Sequence, residues 1–418
     1  MKKVGRIGTR VKETRQMLFE MSINAKVEAI QSLIPLGLMY VEEELQREVA
    51  SLVGTRHSRT EGRPGHVRWG RQSGSVYLGD QKIPTSVPRV RDRRANTEIP
   101  LDLYRQLQTP RGLDEGLLLR VLRGISCRSY RAAAEAIPEA MGISAATVSR
   151  RFVEASSRKL KQLLERDLSG EDFVALLLDG KAFGKNAEML TGVGITIDGR
   201  KVVLGFVETA TENETACAEF LRGLIERGFS AERGMLAVLD GAKGLRKAVG
   251  RVFAGRVVVQ RCQWHKRENV VSYFPESRRK TVRQSLQRAY ERPTLVDAKA
   301  ALLRVKKELG LQNESAGRSL DEGFEETLTL HRLGLFKELG RSLKTTNIIE
   351  TIHSHIGSRT DKVDFWKNSN QRQRWVAAAL FDVEPTMRRV KGCAFLPALR
   401  MAIQADLNLM IHQNELSA

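Results

Sequence analysis

Hydrophobic positions recur at helical spacing at both ends of the chain and at strand spacing in the middle. Residues 11–53 predict a helix, with Leu18, Met21, Ile23, Val27, Ile30, Leu33 and Leu38 apolar and the acidic Glu42–Glu44 on a solvated face. Residues 54–75 are rich in Arg, Gly, His and Ser and read as an exposed loop. From Ser75 to Arg91 the pattern predicts two short strands around a Gly79-Asp80 turn, with the prolines favouring a sheet edge. Residues 112–167 return to helical spacing.

The central pattern is different. Phe173 to Leu178 is a continuous apolar run that ends at Asp179-Gly180, short enough for a strand buried on both faces. Met189–Ile197 and Lys201–Glu208 flank an Asp198-Gly199 turn and predict a hairpin. A helix follows over 214–228. Met235 to Leu239 is a second apolar strand ending at Asp240-Gly241, then come a short helix and the strand Val257–Cys262. Strand, hairpin, helix, strand, helix, strand predicts a mixed α/β sheet with helices on its faces. Residues 263–344 carry no strand pattern; Lys344-Thr-Thr-Asn-Ile-Ile-Glu opens a further helix, and another covers 370–390. The expected divisions are 1–110, 111–168, 169–262, 263–344 and 345–418.

Charge then separates these segments. The 418 residues carry a formal net charge of +20. Residues 171–260 sum to zero, whereas 51–110 sum to +6 and 261–310 to +8. Basic segments that bracket a neutral core suit a polyanion, most simply nucleic acid. The hairpin then reads either as a linker or as a basic ribbon on DNA. No apolar run reaches about 18 residues, so no membrane span is expected. The basic start Met1-Lys-Lys-Val-Gly-Arg has no apolar stretch after it, so no secretory signal is expected. Four scattered cysteines imply no disulfide framework and fit a reducing compartment, the cytoplasm.

Three features carry chemistry. Tyr130 to Phe152 has the cadence of a helix-turn-helix: Gly142 supplies the turn, Ser144 caps the next helix, and Ile143, Val148 and Phe152 face a core. Thr147, Ser149, Arg150 and Arg151 would then face a DNA groove, although a packed helical hairpin gives the same pattern. Asp179 and Asp240 each end a buried strand and precede Gly. On neighbouring strands they would emerge at one sheet edge, where a divalent cation offsets their repulsion. Two such cations can clamp an in-line phosphoryl displacement, and Glu350 is the best third carboxylate. Finally, Gln260-Arg-Cys-Gln-Trp-His-Lys-Arg pairs Cys262 with His265. Zinc would need a second Cys/His pair, and only His353 and His355 lie close together, so Cys262 reads as structural and His265 as functional. His265, Lys266 and Arg267 would lie at or beside the scissile phosphate. Arg278, Arg279, Lys280, Arg283 and Arg288 would form a phosphate track along one helix.

Leu178-Asp-Gly-Lys, Val238-Leu-Asp-Gly-Ala-Lys-Gly-Leu, Arg261-Cys-Gln-Trp-His-Lys-Arg-Glu-Asn and Leu343-Lys-Thr-Thr-Asn-Ile-Ile-Glu, in this order, resemble the Mutator-type transposases of bacterial insertion sequences. The resemblance covers about 100–395. It implies a ribonuclease-H-like catalytic core with an Asp-Asp-Glu triad, here Asp179, Asp240 and Glu350, and a helical insertion before the Glu. Cys262 and His265 would be the family's signature pair.

The expected activity is metal-dependent DNA cleavage and strand transfer, with two Mg2+ or Mn2+ ions. The expected partners are double-stranded DNA, as terminal inverted repeats and target, and a second protomer, because two ends must be brought together. The expected location is the bacterial cytoplasm, at the nucleoid. The segment after Glu350 is less arginine-rich than in many relatives. Two other classes fit parts of the pattern: a structure-selective nuclease without strand transfer, and a non-catalytic DNA-binding regulator.

Overall fold

The computed structural model describes residues 23–56, 64–78, 81–108, 113–128, 144–182, 188–209 and 213–416. The chain divides into two compact units, residues 1–121 with 125–152 and residues 122–124 with 153–418.

In the first unit, α1 (Ile23–Val53) is followed by β1 (His66–Leu78), β2 (Gln81–Asp92), β3 (Thr97–Ile99), α2 (Asp102–Gln108) and α3 (Leu113–Leu122). The three strands form one antiparallel sheet in the order β1-β2-β3. Val41, Leu45 and Val49 of α1 pack on Val76, Val87 and Val90 of the hairpin. The expected loop over 54–75 is corrected here, because residues 66–75 belong to a 13-residue strand. Residues 68–73 of β1 are exposed, so no alternation marks them; Arg68 and residues 71–73 pair with β2 across a bulge at Trp69-Gly70, where Gly70 adopts φ +80°. The hairpin strands are therefore long rather than short; Gly79-Asp80 lies outside the described residues. Pro84 and Pro88 sit on β2 opposite Ser75 and Arg71, and β3 pairs with β2 only at 90–92, so both prolines occupy a free edge of β2.

α4 (Ala145–Leu164) begins as expected: Ser144 Oγ accepts from the Thr147 amide at 3.2 Å, and Val148 and Phe152 are buried. Gly142, Ile143 and the first helix of the expected helix-turn-helix lie outside the described residues.

The second unit contains β4 (Phe173–Ala182), β5 (Glu188–Thr196), β6 (Lys201–Thr209), α5 (Glu214–Glu226), β7 (Met235–Leu239), α6 (Lys243–Phe253) and β8 (Val257–Arg261). Their sheet order is β6-β5-β4-β7-β8, with β4, β5 and β6 antiparallel and β4, β7 and β8 parallel. Both faces are covered, which is why β4 and β7 read as unbroken apolar runs. Leu176, Leu178, Ala237 and Leu239 pack with Leu221 and Leu224 of α5 and Val249 of α6. Leu177 and Val238 point to the other face.

Helices follow from 263 onward: α7 (Gln263–Val271), α8 (Glu276–Tyr290), α9 (Leu295–Gln312), α10 (Glu314–Asp321), α11 (Phe324–Thr327), α12 (Thr329–Arg332) and α13 (Phe336–Leu343). This segment has a core of its own, with Val270, Val282, Leu286, Leu302 and Leu320. The chain ends with α14 (Asn347–Thr360), α15 (Ser369–Val383) and α16 (Leu396–Leu416). Ile349, Ile352 and Ile356 of α14, Leu380 of α15 and Leu399 of α16 cover the Leu177 face of the sheet. The helix expected over 370–390 stops at Val383, and a 3-10 turn over Glu384–Thr386 follows; Pro385 has no N–H to continue the ladder.

Candidate active site

The parallel register pairs Leu178 of β4 with Leu239 of β7, so Asp179 and Asp240 are the next residues on adjacent strands. Successive strand residues alternate faces, so Asp179 shares the face of Leu177, and Asp240 that of Val238. This is the face covered by α14, which carries Glu350.

The chain then returns to the same edge twice. The Cys262 amide donates to the Leu239 carbonyl at 2.7 Å, extending the β7–β8 ladder by one residue before α7 begins. The Gln263 amide donates to the Lys344 carbonyl at 3.0 Å, which joins the start of α7 to the approach to α14. Ligand atoms of Asp179, His265 and Glu350 consequently lie within 4.8 Å of one another. Asp179 is buried, and Oε1 of Glu350 is buried without a hydrogen-bond partner. Asp240 lies outside this group of three; its Oδ1 accepts from the Ala242 amide at 2.9 Å. A buried, unsatisfied carboxylate oxygen beside a second carboxylate and an imidazole is costly, and a divalent cation would relieve it. Carboxylate oxygens suit Mg2+ and Mn2+, so the donor set fits the expected ion; the imidazole adds a softer ligand.

Gly241 is required next to Asp240. It adopts φ +110°, and a Cβ there would overlap the guanidinium of Arg261. Arg261 is buried and donates to the Glu322 carbonyl at 2.7 Å, which ties the strand end to the helical segment.

Cys262 is fully buried, and burial pushes its thiol pKa up, which suits a structural thiol rather than a nucleophile. Thr346 was missed from sequence. Its buried hydroxyl lies 3.6 Å from Cys262 Sγ and 3.4 Å from His265 Nδ1, and so links the signature pair to the start of α14. The only signal was its place in the polar stretch before α14.

The expected basic residues are spread over different environments. Lys266 departs from the expectation of a phosphate-facing side chain. It is fully buried, its ammonium donates to the Ser319 carbonyl at 2.6 Å, and burial lowers its pKa to about 8. Position i+1 from His265 turns it about 100° round α7, into the helical core. Arg267 is mostly buried against Glu268 and Gln287. Arg283 forms a two-pronged pair with Glu268. Arg279 donates to the Phe274 carbonyl, while Arg278, Lys280 and Arg288 are exposed. On α4, Ser149 and Arg150 are exposed, Thr147 is half-buried, and Arg151 lies over the Tyr77 ring at 5.2 Å.

A family model described as "Transposase, Mutator family" matches residues 12–389. The chain belongs to this family. Curated relatives of this Mutator-family chain include the transposase for insertion sequence element ISRM5 of Rhizobium meliloti (strain 1021), 29% identical over 351 residues, covering 81% of this chain and 84% of the relative. The transposase for element IS6120 of Mycolicibacterium smegmatis is 27% identical over 293 residues, covering 69% and 88%. The transposase for element IS256 in transposon Tn4001 of Staphylococcus aureus is 25% identical over 387 residues, covering 86% and 94%. No helix among the described residues is long and apolar enough to cross a membrane.

Proposed function

We propose that this Mutator-family chain is an insertion-sequence transposase that cleaves DNA at the ends of its element and joins them to target DNA. The observation that carries the reading is the convergence of Asp179, His265 and Glu350, from three distant parts of the chain, within 4.8 Å at the edge where Asp240 also ends its strand. The ribonuclease-H-like reading of this unit is supported by the strand order β6-β5-β4-β7-β8, with one antiparallel half and one parallel half.

Asp179, Asp240 and Glu350 would hold two divalent ions, Mg2+ or Mn2+. Bound there, the ions would lower the pKa of a water and stabilise charge on the attacking and leaving oxygens. His265 sits among the carboxylates, held through Thr346, and orients what binds there. The α13–α14 junction and the Gln263 clamp keep Glu350 facing the strand edge. Ser149, Arg150 and the exposed Arg278 and Lys280 supply DNA contacts, and the reading of α4 as the second helix of a helix-turn-helix is supported by the Ser144 cap. Joining two element ends calls for at least two protomers. Such a protein works in the bacterial cytoplasm at the nucleoid.

A strand-transfer assay with Mg2+ or Mn2+, on duplexes carrying the inverted repeats that flank the coding region, tests the reading. Joined products support a transposase, cleavage alone a nuclease, and binding alone a regulator. Asp179→Asn should abolish both chemical steps and leave duplex affinity near that of the parent. Retained cleavage in that variant would sink the assignment of the carboxylates.

A further inference from the structure

A second charged feature lies on α14, away from the carboxylates. A groove of about 390 Å³ is lined by Lys201 of β6, Arg341 of α13 and Arg388, Arg389 and Lys391 of the strap before α16. Asn347, Ile348, Thr351, Ile352 and His355 of α14 form its wall. At 100° per residue these positions centre roughly 130° round the helix from Glu350, so the groove is not the carboxylate cleft.

The cations are largely unopposed. Arg389 pairs with Asp198 at 3.3 Å. Lys201, Arg341, Arg388 and Lys391 make no side-chain hydrogen bond or ion pair to another described residue. Four like charges converging on one concave surface repel, and among the described residues no carboxylate pairs with them. Lys201 is half-buried, and burial lowers its pKa.

The strap that presents them is fixed in place. The Val390 amide donates to the Gly199 carbonyl at 3.0 Å, and Ser342 Oγ donates to the Lys391 carbonyl at 3.0 Å. Gly392 adopts φ +81° with its backbone against the Glu338 carbonyl, where no Cβ would fit. A fixed strap holding unpaired cations along one face of α14 is a ready anion site.

We propose that this groove is a second DNA-backbone site, gripping phosphates of the duplex at a distance from the bond being cut. The proposal rests on DNA being the substrate, and the experiment separates the two readings. The full chain and an Arg341→Gln/Arg388→Gln/Lys391→Gln variant are titrated with a fluorescent duplex of about 40 base pairs from roughly 50 to 300 mM salt. Each phosphate contact contributes about 0.9 to the slope of log affinity against log salt, so the variant's slope should be shallower by roughly 2 to 3. Its affinity near 0.1 M salt should fall about tenfold or more. The three side chains are exposed and unpaired, so thermal unfolding should match the parent. If the triple variant loses its fold, each single variant carries the same test at about 0.9 per charge. An unchanged slope in folded variants, with the parent binding normally, overturns the groove alone. A parent that shows no salt-dependent duplex binding overturns both the groove and the transposase reading.

Discussion

Thr346 Oγ1 lies 3.4 Å from His265 Nδ1, across a sequence separation of 81 residues. With Nδ1 donating to this hydroxyl, Nε2 keeps the ring's free lone pair. Outer contacts of this kind fix the tautomer and orientation of a ligating imidazole. Thr346→Val keeps the shape of the side chain and removes the oxygen. It should lower metal affinity or strand-transfer rate by about 10- to 100-fold while leaving duplex affinity unchanged. Thr346→Ser should restore most of the loss. Metal titration of cleavage rate reads the effect, and equal rates for the Thr346→Val variant and its parent would dismiss the contact.

Gly241 allows Arg261 to cross behind Asp240. Gly241→Ala places a methyl against the guanidinium and forces a non-glycine residue to φ +110°. The combined strain should cost roughly 1–3 kcal/mol or more. Denaturant unfolding should show the lower midpoint. Because Asp240 is the preceding residue, cleavage should fall further than stability alone accounts for.

His353 is buried, and its Nε2 lies 2.9 Å from Thr191 Oγ1. Burial, assisted by the Lys181 charge, lowers its pKa from 6.5 to about 4. Between those values the unfolded chain binds a proton that the folded protein refuses, so this group withdraws stability as pH falls from 6.5 towards 4. The full loss is up to about 3 kcal/mol, reached near pH 4 and constant below it. His353→Gln should flatten that part of the stability–pH curve. An equally steep acid limb in the variant would assign the effect to other groups.

The central sheet was legible because β4 and β7 are buried on both faces and read as apolar runs leading into Asp-Gly. The run before Asp240 states both the strand and its exit, whereas β4, expected to end at Asp179, continues to Ala182 because Asp179–Ala182 still pair with β5. The helical character of 263–344 was equally plain from the missing strand period. β1 was not, because residues 68–73 are exposed and carry no apolar alternation. Burial of charged side chains also escaped. Lys266 reads as surface charge, and only the fold supplies the Ser319 carbonyl that receives it. The carboxylate edge was expected, but His265 rather than Asp240 completes the tight group with Asp179 and Glu350. Which of several polar residues converge depends on the Gln263–Lys344 clamp, a backbone contact that no side-chain pattern records.

The contrast between Lys266 and its basic neighbours gives a final test. Arg278 and Lys280 are exposed at the start of α8, whereas Lys266 is enclosed beside Glu322 at 3.7 Å. Arg278→Gln and Lys280→Gln should each make the salt slope of duplex binding shallower by about 0.9, with little change in unfolding. Lys266→Gln should do the reverse. It leaves the Ser319 carbonyl and Glu322 without their ammonium, so the unfolding midpoint should drop while the salt slope holds. Removing Lys266 should also alter stability above pH 8. Its folded pKa of about 8 lies below the ordinary 10.5, so the unfolded chain binds more protons between those values and stability rises with pH there. A Lys266→Gln protein should lack that rise; a shallower salt slope in it would return Lys266 to the DNA-facing surface.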